Sequence, residues 1–106
     1  MEVTLTIEGK KKKFKMGKVS VRLYRETVTL LHEFKNGTFM PDNYQSGDID
    51  KAVDYIASVF GNQFTADEFL DGYELYDAVE FMQLLNQCMD NVLFNKGRVE
   101  VTEKKA

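Results

Sequence analysis

The stretch QFTADEFLDGYELYDAVE, residues 63–80, holds six carboxylates in 18 positions: Asp67, Glu68, Asp71, Glu74, Asp77 and Glu80. Such density fits either a metal or catalytic site or a set of helix starts. Spacing separates the two. Thr65-Ala66-Asp67-Glu68 has the form of a capping box. In such a box the Thr hydroxyl accepts from the N–H three residues on, and the Glu carboxylate reaches back to the Thr N–H. Phe64 and Phe69 hold the two positions of a hydrophobic staple. Asp71-Gly72-Tyr73-Glu74 repeats the form six residues later, with Leu70 and Leu75 as its staple. Thr65, Glu68, Asp71 and Glu74 are thus expected to be structural caps. They predict a one-turn helix over 65–71, a sharp turn, and a long helix from about 72 to 95. Asp77 and Glu80 then fall near the polar arc of that helix.

The metal reading fails on ligand positions. A calcium loop with Gly72 at its sixth position puts Phe69 third and Ala78 twelfth; one built on Gly47 puts Tyr44 and Val53 there. Both positions call for oxygen ligands. No histidine accompanies the acids, so zinc and di-iron sets have no support. No metal and no cofactor is expected.

Upstream, Val3, Leu5 and Ile7 alternate with Glu2, Thr4, Thr6 and Glu8, the pattern of a half-buried strand. Glu8-Gly9 suits a two-residue turn. Folding back around it sets Val3 opposite Phe14, Leu5 opposite Lys12 and Met1 opposite Met16. Residues 19–34 read as a helix with Leu23, Thr27, Val28, Leu31 and Phe34 on one face. Its β-branched content lowers its own propensity, so packing must hold it. Asn36-Gly37 is a good stop. A loop over 36–47 follows, containing Pro41, and loops of that length often move or carry function. Asp48 is placed to cap the next helix, whose inner face is Ile49, Ala52, Val53, Ile56 and Phe60, with Gly61 as terminator. The fold class is therefore α+β, mainly α: an N-terminal β-hairpin, then about four helices, two medium, one short and one long at the C-terminal end. Residues 1–95 are expected to form a single globular domain, and 96–106 a flexible polar tail.

The composition agrees with a folded chain. Of 106 residues 43% are hydrophobic, and 13 are Phe or Tyr. A single cysteine, Cys88, allows no internal disulfide and favours a reducing compartment such as the cytoplasm. The N-terminus does not read as a signal peptide, and no apolar run approaches the ~20 residues of a membrane span. The net charge of −3 hides an asymmetry. Residues 1–40 carry nine Lys and Arg against four acids, while residues 41–90 carry Lys51 alone against 11 acids. A charge dipole of this kind suits head-to-tail self-association or charged partners, and also plain solvated faces.

Catalytic chemistry finds no constellation. His32 is the single histidine and suits a helix end. Cys88 lacks a CxxC partner and reads as a buried, inert thiol. No phosphate loop or nucleophile elbow is present. No catalytic residue is assigned, and the chain is not expected to be an enzyme. Lys10, Lys11, Lys12, Lys13, Lys15 and Lys18 could contact phosphates, which keeps a small nucleic-acid-binding or regulatory protein using Lys10–Lys18 as the alternative. Against it stand the acidic remainder and the shortage of interleaved aromatics. On the long helix Leu75, Ala78, Val79, Met82, Leu85, Met89, Val92 and Leu93 form one stripe, widened by Phe81, Leu84 and Cys88. At about 100° per residue the apolar arc spans roughly 220°. Either this is a central helix packed on two sides, or the flank Phe81, Leu84 and Cys88 binds a partner.

The order of elements carries a resemblance: the hairpin, then residues 18–28 (KVSVRLYRETV), then residues 52–72 (AVDYIASVFGNQFTADEFLDG), then the long helix. Over nearly the whole chain this resembles the small tail assembly chaperones of long-tailed, siphovirus-type phages of Gram-positive bacteria. The resemblance implies a non-enzymatic chaperone in the host cytoplasm, absent from the finished virion. Its implied partners are the tape-measure protein and the tail-tube protein, with self-association and a longer frameshifted form made near the codons for Glu103-Lys104-Lys105. It implies no membrane, no cofactor and no inherited catalytic residue.

Overall fold

A computed structural model describes residues 1–35 and 45–94. Within them an antiparallel pair, β1 (Glu2–Ile7) and β2 (Lys10–Lys15), precedes four helices. These are α1 (Val21–Lys35), α2 (Ser46–Val59), α3 (Ala66–Gly72) and α4 (Ala78–Phe94). The fold is α+β and mainly α.

The hairpin register is the one the alternation dictates: Val3 pairs with Phe14 and Leu5 with Lys12. The Met16 N–H donates to the Met1 carbonyl at 2.9 Å. Glu8 and Gly9 both have positive φ, 54° and 79°, as a type I′ turn requires. Ile7 and Lys10 close that turn, so the backbone groups of Thr4 and Thr6 face one outer edge and those of Lys11 and Lys13 the other. The β2 edge is lined with exposed lysines, and its last carbonyl, on Lys15, accepts from Gln63 Nε2 at 2.7 Å. The β1 edge is closed at Thr6 by Gly72. A Cβ at residue 72 would lie 2.6 Å from the Thr6 carbonyl oxygen.

α1 begins two residues later than the apolar pattern suggests, because Ser20 caps it: its Oγ accepts from the Leu23 N–H at 3.1 Å. The buried face is Leu23, Thr27 and Leu30, with Val28 and Leu31 half-buried; Phe34 falls outside the described side chains. Leu30 was not on the expected face. Thr27 is fully enclosed, and its Oγ1 donates to the Leu23 carbonyl at 2.8 Å. A hydroxyl has one proton to give, so Tyr55 Oη donates to Thr27 at 2.7 Å. Burial pushes the Tyr55 phenol well above its usual range.

Two expectations for α2 change. Ser46 and Gly47 belong to its first turn, so the loop expected over 36–47 ends earlier; residues 36–44, with the Asn36-Gly37 stop, lie outside the described residues. Asp48 is the third helical residue rather than the cap. Its carboxylate accepts from the N–H of Gln45, the residue that precedes the helix in an extended conformation. α2 is the most enclosed helix of the fold, with α4 packed on two sides. Ala52, Val53, Tyr55, Ile56, Ala57, Val59 and the following Phe60 are all buried, leaving a polar stripe of Lys51, Asp54 and Ser58. α1, α3 and α4 each pack on it.

α3 starts as the first box prescribes. Thr65 Oγ1 accepts from the Glu68 N–H at 3.1 Å, and Glu68 Oε1 accepts from the Thr65 N–H at 2.9 Å. The staple rings of Phe64 and Phe69 stack with centroids 6.0 Å apart. The next box does not start a helix. Gly72 ends α3, Tyr73 turns extended at φ −86° and ψ 121°, and α4 begins at Ala78 instead of about residue 72. Asp71 and Glu74 are exposed and cap nothing. Residues 95–106, including the expected polar tail, lie outside the described residues.

Candidate functional site

Residues 73–77 form a strap between α3 and α4, and its anchors are acids from the opening stretch. Asp77 Oδ1 accepts from the Glu80 N–H at 2.9 Å, the N-cap bond of α4. Glu80 Oε1 accepts from the Tyr76 N–H at 3.0 Å, and its Oε2 from the Tyr73 hydroxyl at 3.2 Å. Asp77-Ala78-Val79-Glu80 is thus the working helix start. It repeats the sequence form of a box, but the Glu80 carboxylate returns to the Tyr76 N–H, one residue before the cap, rather than to that of Asp77. Glu80 holds both ends of the strap. Tyr73 also stacks on Phe69, with centroids 4.9 Å apart and planes 9° from parallel. The cap gives an expected contrast. Asp77→Ala costs about 1 kcal/mol of stability, whereas Asp71→Ala leaves it unchanged. Urea denaturation of the two variants reads this directly.

Because the strap is not helical, the apolar residues on it stay outside. Of the seven large hydrophobic side chains with substantial exposure among the described residues, four lie within ten residues: Leu70, Leu75, Tyr76 and Val79. Leu70 and Leu75 border a notch of about 180 Å³ with Ile49, Val53, Phe69, Tyr73 and Phe81 as its other walls. Its walls come from α2, α3, α4 and the strap. On its other side the strap borders a groove of about 450 Å³ along β1, lined by Thr4, Thr6, Tyr76 and Leu84 among others.

Acids adjoin the notch in sequence at every wall: Asp48 and Asp50 beside Ile49, Asp54 beside Val53, Asp71 beside Leu70, Glu74 beside Leu75, and Glu80 beside Phe81. The one cation of residues 41–90, Lys51, is turned away. Its Nζ lies 3.1 Å from Glu33 of α1, the sole salt bridge among the described residues, at the mouth of a separate α1–α2 cleft. Among the described residues, no group of three His, Cys, Asp or Glu could hold a metal ion. None of the described helices is long and apolar enough to cross a membrane.

The flank expected to meet a partner is mostly enclosed, reaching the surface only where Phe81 walls the notch and Leu84 the groove along β1. Phe81, Leu84 and Cys88 are core residues with 7%, 7% and 0% exposure, and Leu85, Met89 and Val92 complete the buried face. The wide apolar arc of α4 is filled on two sides within the chain. Burial pushes the Cys88 thiol up to about 12, well above the usual thiol range. Burial also raises the Tyr73 phenol to about 12, aided by Glu80. Both groups stay protonated in the folded chain while the unfolded chain ionises, at 9.0 for the thiol and 10.0 for the phenol. Stability is therefore insensitive to these groups below pH 9.0 and falls between there and about 12. Urea midpoints measured from pH ~8 to ~10.5 are expected to drop, and the Cys88→Ala variant to drop less.

The hairpin lysines are all exposed, but they present no ring among them. Phe14 turns inward and meets Phe64 edge-on at 5.1 Å. The alternative reading as a nucleic-acid binder therefore lacks its stacking platform. His32 is exposed on α1.

The comparisons with known proteins bear on the whole chain. Residues 1–106 match the family described as phage tail chaperone protein. No curated protein matches the chain. No solved structure matches it either.

Proposed function

The chain belongs to the phage tail chaperone family, and from that premise we propose that it binds the tape-measure protein and helps recruit tail-tube subunits during tail assembly. The role is non-enzymatic and is played in the host cytoplasm. The observation that carries this reading is the run of exposed apolar side chains on and beside the strap: Leu70 and Leu75 at the rim of the notch, Tyr76 at the groove on the strap's other side, and Val79 at the start of α4. Exposed apolar side chains beside a notch offer a docking surface, and a chaperone needs such a surface to cover a client's apolar stripe. Self-association and a longer frameshifted form belong to the same proposal. The nucleotides across the codons for Glu103, Lys104 and Lys105 test the latter, and lack of a slippery heptamer there rules it out.

Co-expression with the tape-measure protein of the same phage tests the main proposal. The expected result is a soluble complex on gel filtration that the Leu75→Asp/Val79→Asp variant fails to form while keeping its own fold. If the wild-type chain leaves client solubility unchanged and no complex elutes, the proposal falls.

A further inference from the structure

We propose that the notch between α2, α3 and the strap takes a cationic amphipathic helix, with one apolar side chain seated in the notch and Lys or Arg residues beside it. This rests on the reading that the chain docks a client at this surface, and it names the chemistry of the segment that binds.

Three observations carry it. First, the notch is apolar and small, about 180 Å³, which suits a single large side chain as an anchor rather than a broad sheet. Second, the segment that binds must satisfy its own backbone. The notch is walled by helices, whose backbone groups are already bonded internally. Two N–H groups of the strap are also spent, that of Tyr73 on the Phe69 carbonyl and that of Tyr76 on Glu80. A strand laid here has only the five-residue strap to pair with, two of whose N–H groups are taken, whereas a helix arrives already satisfied. Third, the segments that wall the notch carry mostly acids. Asp50, Asp71 and Glu74 are exposed, lie next to notch residues in sequence, and make no salt bridge among the described residues. Asp71 and Glu74 border the two neighbouring grooves, where Lys11 of β2 is the one basic side chain among the described residues. Lys51, which could have offset them, is held by Glu33. Residues 52–94 contain no Lys, Arg or His. Such a surface attracts a cationic segment and repels an anionic one of equal hydrophobicity.

The test uses the full chain and three synthetic peptides, read by fluorescence anisotropy. One is a helical peptide with a leucine stripe and lysines on its flanks. The second keeps the stripe and carries glutamates. The third has the first one's composition in scrambled order, without the stripe. The lysine peptide is expected to bind at least about tenfold more tightly than the glutamate peptide, and to weaken as salt rises from ~0.05 M to ~1 M. Asp50→Asn/Asp71→Asn/Glu74→Gln, which touches none of the helix caps, is expected to remove the preference while leaving the circular dichroism spectrum unchanged. Leu75→Asp is expected to abolish binding. Equal, salt-insensitive binding of the lysine and glutamate peptides overturns the proposal. So does equal binding of the scrambled peptide, which indicates adsorption to the acidic face alone. A chain that still forms the tape-measure complex but shows no lysine preference overturns this inference and leaves the functional reading standing. A chain that prefers the lysine peptide but forms no tape-measure complex does the reverse.

Discussion

Leu84→Asp is expected to unfold the chain. Leu84 is 7% exposed and sits on the buried face of α4 with Phe81, Leu85 and Cys88. Truncating a buried leucine alone costs about 2–5 kcal/mol. An aspartate there also brings a carboxylate out of water, which adds several kcal/mol unless a cation pairs with it. α4 itself supplies no cation, since residues 52–94 contain no Lys, Arg or His, and Lys11 of β2, which borders the same groove as Leu84, is exposed to water. A domain of this size has a total stability of about 5–15 kcal/mol, so the combined loss consumes most or all of it. Thermal melts followed by circular dichroism should show no cooperative transition. Leu75→Asp is the matched control, since Leu75 is 48% exposed and its new carboxylate stays in water. A Leu84→Asp protein that melts cooperatively near the wild-type temperature contradicts the placement of that side chain in the core. The pair of variants also separates folding from docking: one should lose structure, the other the client alone.

Gly72→Ala is the second large effect, and local propensity gives it the wrong sign. In a helix, alanine is favoured over glycine by about 0.5–1 kcal/mol. At this site the new methyl would lie 2.6 Å from the Thr6 carbonyl oxygen and 3.2 Å from the Thr6 nitrogen. Both are backbone atoms of a paired strand, so neither can swing aside as a side chain would. Overpacking of this kind typically costs about 1–3 kcal/mol, enough to outweigh the propensity gain. For a chain of ~100 residues each kcal/mol lowers Tm by about 4–8 °C. Gly47→Ala supplies the opposite case: Gly47 lies in the first turn of α2 with nothing within 4 Å of its added Cβ. It should be neutral or slightly stabilising. A Gly72→Ala protein as stable as wild type means that α3 does not rest on the β1 edge.

Gly72 also explains where the sequence stops being legible. Three segments share one local form at six-residue intervals, beginning at Thr65, Asp71 and Asp77. Only the first and third start helices. Nothing within residues 71–74 marks the middle one as idle. What decides is Gly72, drawn against Thr6, a residue far away in the chain and therefore invisible to a local pattern. The hairpin was readable because a period of two and a two-residue turn leave a single register that buries Val3 and Leu5. The Phe64–Phe69 staple was readable for a similar reason, since both its members sit within one turn of the cap. The candidate surface was lost through the misplaced start of α4. With the helix beginning near residue 72, Leu75 and Val79 count as core, and the flank Phe81, Leu84 and Cys88 looks surplus. With the strap in place the roles exchange. The width of the α4 arc was a true signal, but it reflects the enclosure of α2, which needs helices packed around it.

The two edges of the hairpin have a further consequence. An unpaired strand invites any other extended chain to continue the sheet, and in a crowded cell that is a route to fibrous aggregates. Here β1 is obstructed at Thr6 by α3. A second copy approaching the β2 edge meets a row of ammonium groups, and the same row on the approaching copy repels it. The lysines that look like a ligand-binding run thus act as a kinetic safeguard. They keep the hairpin soluble without covering it, at no cost to the packed face behind it.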